Sequence, residues 1–286
     1  MKKAILVLAI VLSISSCQKQ VNERILFSSS SLGNSDIYVM DSETLNSKQL
    51  TNSTFEEWGP TWITENEISF LRQKHDQILR YKLNLDTGEE SQIQHPENCI
   101  LDDKNMLYAS NGFLQLYQCT SNIFLFDKKA GTTTNLTQNM NGYSKYPSWS
   151  FDGTQVIFTN NQSGTNDIFM MDLATKKITQ VTDFPSNDER GEHSPDRKHI
   201  VFSSDKFETR NQDILLKNLE TGTLENISNS KGTELIARWS VDGKHIYFGS
   251  NKDGNWEIYQ YTLQDKSTKR MTTNAAFDGD PRVFKG

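Results

Sequence analysis

A stretch of about forty residues returns along this chain in altered copies, and that repeat limits the possible folds more than any other feature. The copy beginning at Tyr146 reads YPSWSFDGTQVIFTNNQSGTNDIFMMDLATKKITQVT, and related copies begin at Gly191 and Ala237. In each, short alternating apolar runs are separated by Asp-Gly, Ser-Gly or Thr-Gly turns, the pattern of four strands joined by hairpins. Weaker copies begin at Gly59 and Cys99. A second strand recurs around Phe27, Phe70, Tyr108, Phe158, Phe202 and Phe248, at intervals of 43, 38, 50, 44 and 46. The third strand opens at Asp36-Ile37, Gln77-Ile78, Asn122-Ile123, Asp167-Ile168, Asp213-Ile214 and Glu257-Ile258. The fourth closes on Leu50-Thr51, Leu136-Thr137, Val181-Thr182, Ile227-Ser228 and Met271-Thr272. Units of this length with four strands are propeller blades. Six copies of the second strand predict an all-β fold, a six-bladed β-propeller with four antiparallel strands per blade. The repeat region enters at a second strand, Ile25-Leu26-Phe27, and ends in FDGDPRVF, which aligns with the first-strand segment YSKYPSW. The C-terminal strand is therefore predicted to complete the first blade and close the ring, leaving no open sheet edge.

The fullest copy contains Pro147-Ser148-Trp149-Ser150-Phe151-Asp152-Gly153, followed by a strand and then Asp167-Ile168. It recurs as Trp239-Ser240-Val241-Asp242-Gly243 and, degenerate, as His193-Ser194-Pro195-Asp196-Arg197. This motif resembles the repeat of the TolB-type (WD40-like) β-propeller family, and the resemblance runs from Ile25 to Phe284. It implies the fold and leaves the function open. TolB carries an N-terminal α/β domain before its propeller, whereas only residues 18–24 stand between Cys17 and the first strand here. The role of TolB itself is therefore not carried over.

The N-terminus carries its own signal. Lys2 and Lys3 precede an unbroken apolar run of nine residues, 4–12, a length that fits a secretory signal core and is too short to span a bilayer. Ile14-Ser15-Ser16-Cys17 resembles the bacterial lipobox, which implies cleavage before Cys17 and a diacylglycerol on its thiol. Acyl chains contribute roughly 0.8 kcal/mol per buried CH₂, so several together anchor stably. The expected organisation is a lipoprotein signal peptide over 1–16, a lipidated Cys and short tether over 17–24, and the propeller over 25–286. Gln18 after the Cys lacks the Asp of inner-membrane retention. The expected location is thus the cell envelope, anchored in the outer membrane and facing the periplasm.

The composition agrees. Hydrophobic residues make up 35% of the chain, too few for one thick core and suited to several thin ones shared between sheets. The net charge of −6 is spread without long runs, which speaks against a nucleic-acid partner. Two further cysteines, Cys99 and Cys119, could pair in an exported protein. The repeat alignment places them near opposite ends of one blade, which speaks against a disulfide.

Aromatics at one repeat position, Trp62, Trp149 and Trp239, are expected to pack between blades. The acids Asp36, Asp167, Asp213 and Glu257 share a register and are read as structural acceptors. The segment from Asn251 to Asn255 lacks the spaced carboxylates of a calcium loop and is read as a hairpin. Loops leading into the innermost strands, at 55–59, 142–146, 187–192, 233–238 and 277–280, are expected to ring a channel mouth. They and their flanks supply Glu56, Glu57, Trp58, Lys145, Tyr146, Asp188, Glu189, Arg190, Glu192, Glu234, Arg238, Asp278, Asp280 and Arg282 as candidate binding residues. Mixed charge interleaved with aromatics suits a protein or peptide segment, with Arg and aromatic side chains as anchors. No cofactor is indicated, although the carboxylates offer oxygen ligands to a divalent cation such as calcium. The leading reading is a non-catalytic lipoprotein, a monomeric scaffold for an envelope protein or peptide. The alternative is a metal-assisted carbohydrate-active or lyase-type propeller enzyme. For that role the five histidines, His75, His95, His193, His199 and His245, form a weak constellation. No Gly-x-Ser-x-Gly elbow is present.

Overall fold

The computed structural model describes residues 22–95, 97, 99, 101, 106–110, 112–209 and 211–285, so the expected signal peptide and Cys17 lie outside the described residues. Twenty-four strands form six four-stranded antiparallel sheets. Blade 1 contains β1 (Arg24–Ser29), β2 (Asp36–Asp41) and β3 (Ser47–Gln49). Blade 2 contains β4 (Glu57–Thr64), β5 (Glu67–Lys74), β6 (Gln77–Asn84) and β7 (Glu90–Gln92). Blade 3 contains β8 (Tyr108–Ser110), β9 (Leu114–Cys119), β10 (Asn122–Asp127) and β11 (Thr132–Asn135). Blade 4 contains β12 (Ser144–Trp149), β13 (Gln155–Asn160), β14 (Asp167–Asp172) and β15 (Ile178–Gln180). Blade 5 contains β16 (Asp188–His193), β17 (His199–Glu208), β18 (Asn211–Asn218) and β19 (Leu224–Asn226). Blade 6 contains β20 (Glu234–Trp239), β21 (His245–Ser250), β22 (Glu257–Thr262) and β23 (Thr268–Arg270). The last strand, β24 (Asp278–Val283), returns to pair with β1, with Ile25 opposite Val283 and Ser29 opposite Asp278. The predicted closure of the ring is what the structure has.

Second strands such as Ile25-Leu26-Phe27 and Ile200-Val201-Phe202 are continuously buried, because each sheet is covered on both faces by its neighbours. Among the described residues, buried apolar side chains form five clusters, each shared between adjacent blades. One joins Val201 and Ile214 of blade 5 to Trp239 and Phe248 of blade 6. Another joins Leu26 and Ile37 of blade 1 to Trp62 and Phe70 of blade 2. The three tryptophans pack between blades as expected, and two also bond across the junction. Trp62 Nε1 donates to the Arg282 carbonyl at 3.0 Å, and Trp149 Nε1 to the Tyr108 carbonyl at 3.2 Å.

Two devices recur among the blades. At the Asp-Gly turn, Asp152 Oδ1 accepts from Ser150 Oγ and from the Thr154 backbone, and Gly153 takes a φ of 68°. Asp242 and Gly243 repeat this arrangement. In blade 5 Arg197 itself adopts a φ of 61°, so the degenerate copy keeps the turn. The second device is the acid that opens the third strand. Asp167 accepts from Thr182 Oγ1, which in turn accepts the Ile168 amide at 2.9 Å. Asp36 with Thr51, Asp213 with Ser228 and Glu257 with Thr272 do the same, and Asn122 with Thr137 substitutes a neutral acceptor. These acids are structural, as their shared register implied.

Blades 2 and 3 depart from the alignment. Tyr108 lies in β8, a first strand, and the second strand of blade 3 is β9, with Tyr117 opposite Phe124. With Tyr117 in the column, the uneven intervals of 38 and 50 become 47 and 41. The misreading arose because β8 is only three residues long and its lead-in carries no Pro-x-Trp motif. The corrected register brings Cys99 and Cys119 to the same end of the blade, and they form a disulfide with a Cα separation of 5.4 Å. In blade 2 the third strand starts before the position that most other blades use, and Phe70 pairs with Tyr81. The residue matching the buried isoleucine of the other third strands is therefore Arg80, 1% exposed, rather than Ile78.

Candidate functional site

Each first strand runs from the mouth of the channel toward its opposite end. In β4, β12, β16, β20 and β24 the register shifts after the second residue, and the third adopts positive φ: Gly59, Tyr146, Arg190, Ile236 and Asp280. Such a bulge re-aims the side chains on either side of it. It divides the candidate residues into three groups.

The opening residues of the first strands are buried and internally engaged. Glu57 accepts from Arg72 Nε at 2.5 Å. Asp188 accepts from Ser204 Oγ at 2.6 Å, and Glu234 from Ser250 Oγ at 2.8 Å. Asp278 accepts from Asn274 Nδ2 at 2.5 Å. Burial pushes the pKa values of Asp188, Glu234 and Asp278 up, and the neighbouring acids Asp167, Asp213 and Glu257 of the preceding blades add to the effect. All four are fully buried, and in each the other carboxylate oxygen has no hydrogen-bond partner.

The second group remains at the mouth. Lys145 Nζ and Arg190 Nη1 both pair with Glu189, at 2.6 and 2.8 Å. Arg190 lies over the Tyr146 ring, 4.0 Å from its centroid, and donates to the Tyr146 hydroxyl. Glu56 is exposed and accepts the Ser35 amide, and Asp280 accepts from Ser28 Oγ. Trp58 is half-buried beside Gly59. Of the exposed apolar side chains around this cluster, sequence reasoning placed Phe277 among the mouth aromatics and missed Leu32 and Phe207. Among the described residues four large hydrophobics are exposed, and three of them, Leu32 at 73%, Phe207 at 59% and Phe277 at 38%, stand on mouth-side hairpins and loops. Leu32 and Phe277 belong to adjoining loops, joined by Ser30 N–H to the Phe277 carbonyl at 2.9 Å.

The third group lies beyond the bulge. Glu192, Arg238 and Arg282 occupy the fifth position of their strands, in one column with Thr61 and Ser148, and Tyr108 takes this place in blade 3. Together they line a cavity of about 430 Å³ at the channel end away from the mouth, with walls from Trp62, Trp149, Phe151 and Phe284. The structure thus separates Arg238 and Arg282 from the mouth residues with which the sequence grouped them. Glu192 is nearly fully buried. Burial alone would raise its pKa, but Lys285 at 3.0 Å and Arg238 at 3.4 Å outweigh it and hold it below the usual range. Burial, followed by the charge of Arg282, lowers Arg238 to about 10.

The histidines do not converge. His193 is buried against Met170, and burial lowers its pKa to about 4. His95 stacks on Tyr117 at 4.0 Å, and His75 meets Phe55 edge-on. His199 and His245 bond to Asn218 and Thr262 on separate blades. Among the described residues no group of three His, Cys, Asp or Glu is arranged to hold a metal ion.

With this geometry in place, comparison with known proteins is informative. Residues 111–206 match the family described as the TolB beta propeller domain. The chain is 26% identical over 210 residues, 68% of its length, to dipeptidyl-peptidase 5 of Porphyromonas gingivalis, of which the match spans 30%. It is 29% identical over 82 residues, 29% of its length, to the Tol-Pal system protein TolB of Francisella tularensis, of which the match spans 19%. The crystal structure of TolB from Acinetobacter baumannii superposes with a TM-score of 0.78 at 15% identity, covering 91% of this chain and 66% of that one. The chain therefore spans less than a third of the curated relatives it matches. Ring closure, repeat motif and these likenesses agree: the chain is a six-bladed β-propeller similar in fold and repeat to the TolB type.

Proposed function

We propose that this propeller is a non-catalytic binding module of the bacterial envelope, tethered through a lipidated Cys17 and presenting its mouth face to a segment of another protein. The observation that carries the reading is the gathering of Leu32, Phe207 and Phe277 on the face that also holds Lys145, Tyr146, Glu189 and Arg190. Isolated exposed hydrophobics need no explanation, but three on one face beside charge-paired aromatics match the make-up of a protein interface. Arg190 stacked on Tyr146 is the kind of rigid anchor that dominates such interfaces. Likeness to a Tol-Pal system protein supports an envelope location and a scaffold role. The likeness to a dipeptidyl-peptidase covers 30% of that protein, and the histidines here lie apart from one another.

The test is affinity purification of the native lipoprotein beside a Leu32→Ser, Phe207→Ser, Phe277→Ser variant. The three side chains are exposed, so the variant is expected to keep the thermal midpoint of the parent. Loss of a co-purifying envelope protein with the fold intact supports the mouth as the interface. Unchanged recovery of that partner refutes it.

A further inference from the structure

The cavity at the far end of the channel is a second site, chemically unlike the mouth. The six residues of this column divide the ring in two. Blades 5, 6 and 1 contribute Glu192, Arg238 and Arg282, while blades 2, 3 and 4 contribute Thr61, Tyr108 and Ser148. One wall is therefore charged, and the other carries hydroxyls backed by Trp62 and Trp149. The hydroxyls of Thr61 and Ser148 are already used, donating to the carbonyls of Leu107 and Gly191. The charged wall is unbalanced. Arg238, Arg282 and Lys285 face a single buried carboxylate, Glu192, which pairs with Arg238 and Lys285. The other acid at the cavity, Glu65, is an exposed rim residue.

Arg282 is the exception. It is 6% exposed, and no carboxylate among the described residues pairs with it. Its Nη1 donates to the Pro281 carbonyl, its Nη2 reaches only Met106 Sδ at 3.5 Å, and its Nε has no partner. A buried guanidinium without an anion is costly, and such cations are otherwise paired. The fork geometry of Arg is suited to a planar carboxylate. The volume is that of a small-molecule pocket, in the range of roughly 300–1,000 Å³. We propose that this cavity binds an organic carboxylate, its charge held by Arg282 and Arg238 and its apolar body lying against Trp62, Trp149 and Tyr108. The same chemistry belongs to a free aryl or alkyl acid and to the C-terminus of a polypeptide with an apolar last residue. The site is independent of the mouth, and its failure leaves the proposed function standing.

Titration calorimetry on the intact propeller tests this with N-acetyl-L-phenylalanine, its uncharged amide and benzoate. The acids are expected to bind at least about tenfold more tightly than the amide, as one charge-assisted pair would give. Arg282→Met, checked for an unchanged fold by circular dichroism, is expected to remove that preference. The Leu32, Phe207, Phe277 variant is expected to retain it. A tetrapeptide Gly-Gly-Gly-Phe with a free C-terminus identifies the source: tighter binding than N-acetyl-L-phenylalanine assigns the site to a chain terminus, and weaker binding to a free acid. Equal affinity for acid and amide, or no binding of either acid to the wild-type protein at millimolar concentration, overturns the proposal without recourse to the Arg282 variant.

Discussion

The Cys99–Cys119 disulfide replaces a hydrogen bond that other blades use, and its contribution can be worked out on that basis. Cys119 ends β9 where Asn160 ends β13, Ser204 stands in β17 and Ser250 ends β21. Those residues bond to the start of the neighbouring first strand: Asn160 to Ser144 at 2.8 Å, Ser204 to Asp188 at 2.6 Å and Ser250 to Glu234 at 2.8 Å. Blade 3 has a first strand of only three residues, so that place is reached by Cys99 from the preceding connection. The bridge spans a sequence separation of 20. Closing a loop of that size removes unfolded-state entropy worth about 3 kcal/mol. A hydrogen bond at the same place contributes about 1 kcal/mol. The Cys99→Ala, Cys119→Ala variant is expected to lose about 3 kcal/mol, and the double serine variant, which restores a hydroxyl pair, about 2 kcal/mol. Urea unfolding read by tryptophan fluorescence measures both, with reduced wild-type protein as a third sample near the alanine variant. If all three unfold at the midpoint of the oxidised wild-type protein, the bridge does not constrain this blade and the reasoning is wrong.

Further outcomes follow from the same contacts. Trp62→Phe and Trp149→Phe each remove an inter-blade indole bond and should cost about 1 kcal/mol more than Trp239→Phe, whose Nε1 has no partner; a larger loss at Trp239 in urea unfolding would contradict this. Asp188 has a raised pKa, so its protonated form favours the folded state below the ordinary carboxylate range, and that support is lost as pH rises through the raised value. The stability of Asp188→Asn relative to wild type should therefore grow between acid and alkaline pH, and a pH-independent difference would refute the assignment. Cys17→Ser should remain unlipidated in metabolic labelling with a palmitate analogue, and normal labelling would show that the anchor lies elsewhere.

The blade plan was legible because its determinants are local: an Asp-Gly turn, an acid answered by a hydroxyl residue fifteen positions on, and a Trp in a fixed column. Where those signs fade, so did the reading. Blade 3 has no Trp in its first strand, and Tyr108 was taken for a second-strand aromatic, which hid the disulfide. The candidate site was legible as a set of first-strand residues but not in its division. The bulge at Tyr146, Arg190, Ile236 and Asp280 sends neighbours in sequence to opposite ends of the channel, and positive φ in non-glycine residues leaves no mark in the sequence. The cavity did leave one sign, a single repeat column reading Thr61, Ser148, Glu192, Arg238 and Arg282, where small hydroxyls give way to charges.

The central claim, that the mouth face holds a protein partner, is tested most directly by in-cell photo-crosslinking from Phe277 at the mouth and from Thr154 on the opposite side of the ring, each replaced in turn by a photoreactive residue. The account predicts one dominant envelope protein captured from position 277 and none from 154. Capture from 154 alone, or the same products from both positions, would contradict it.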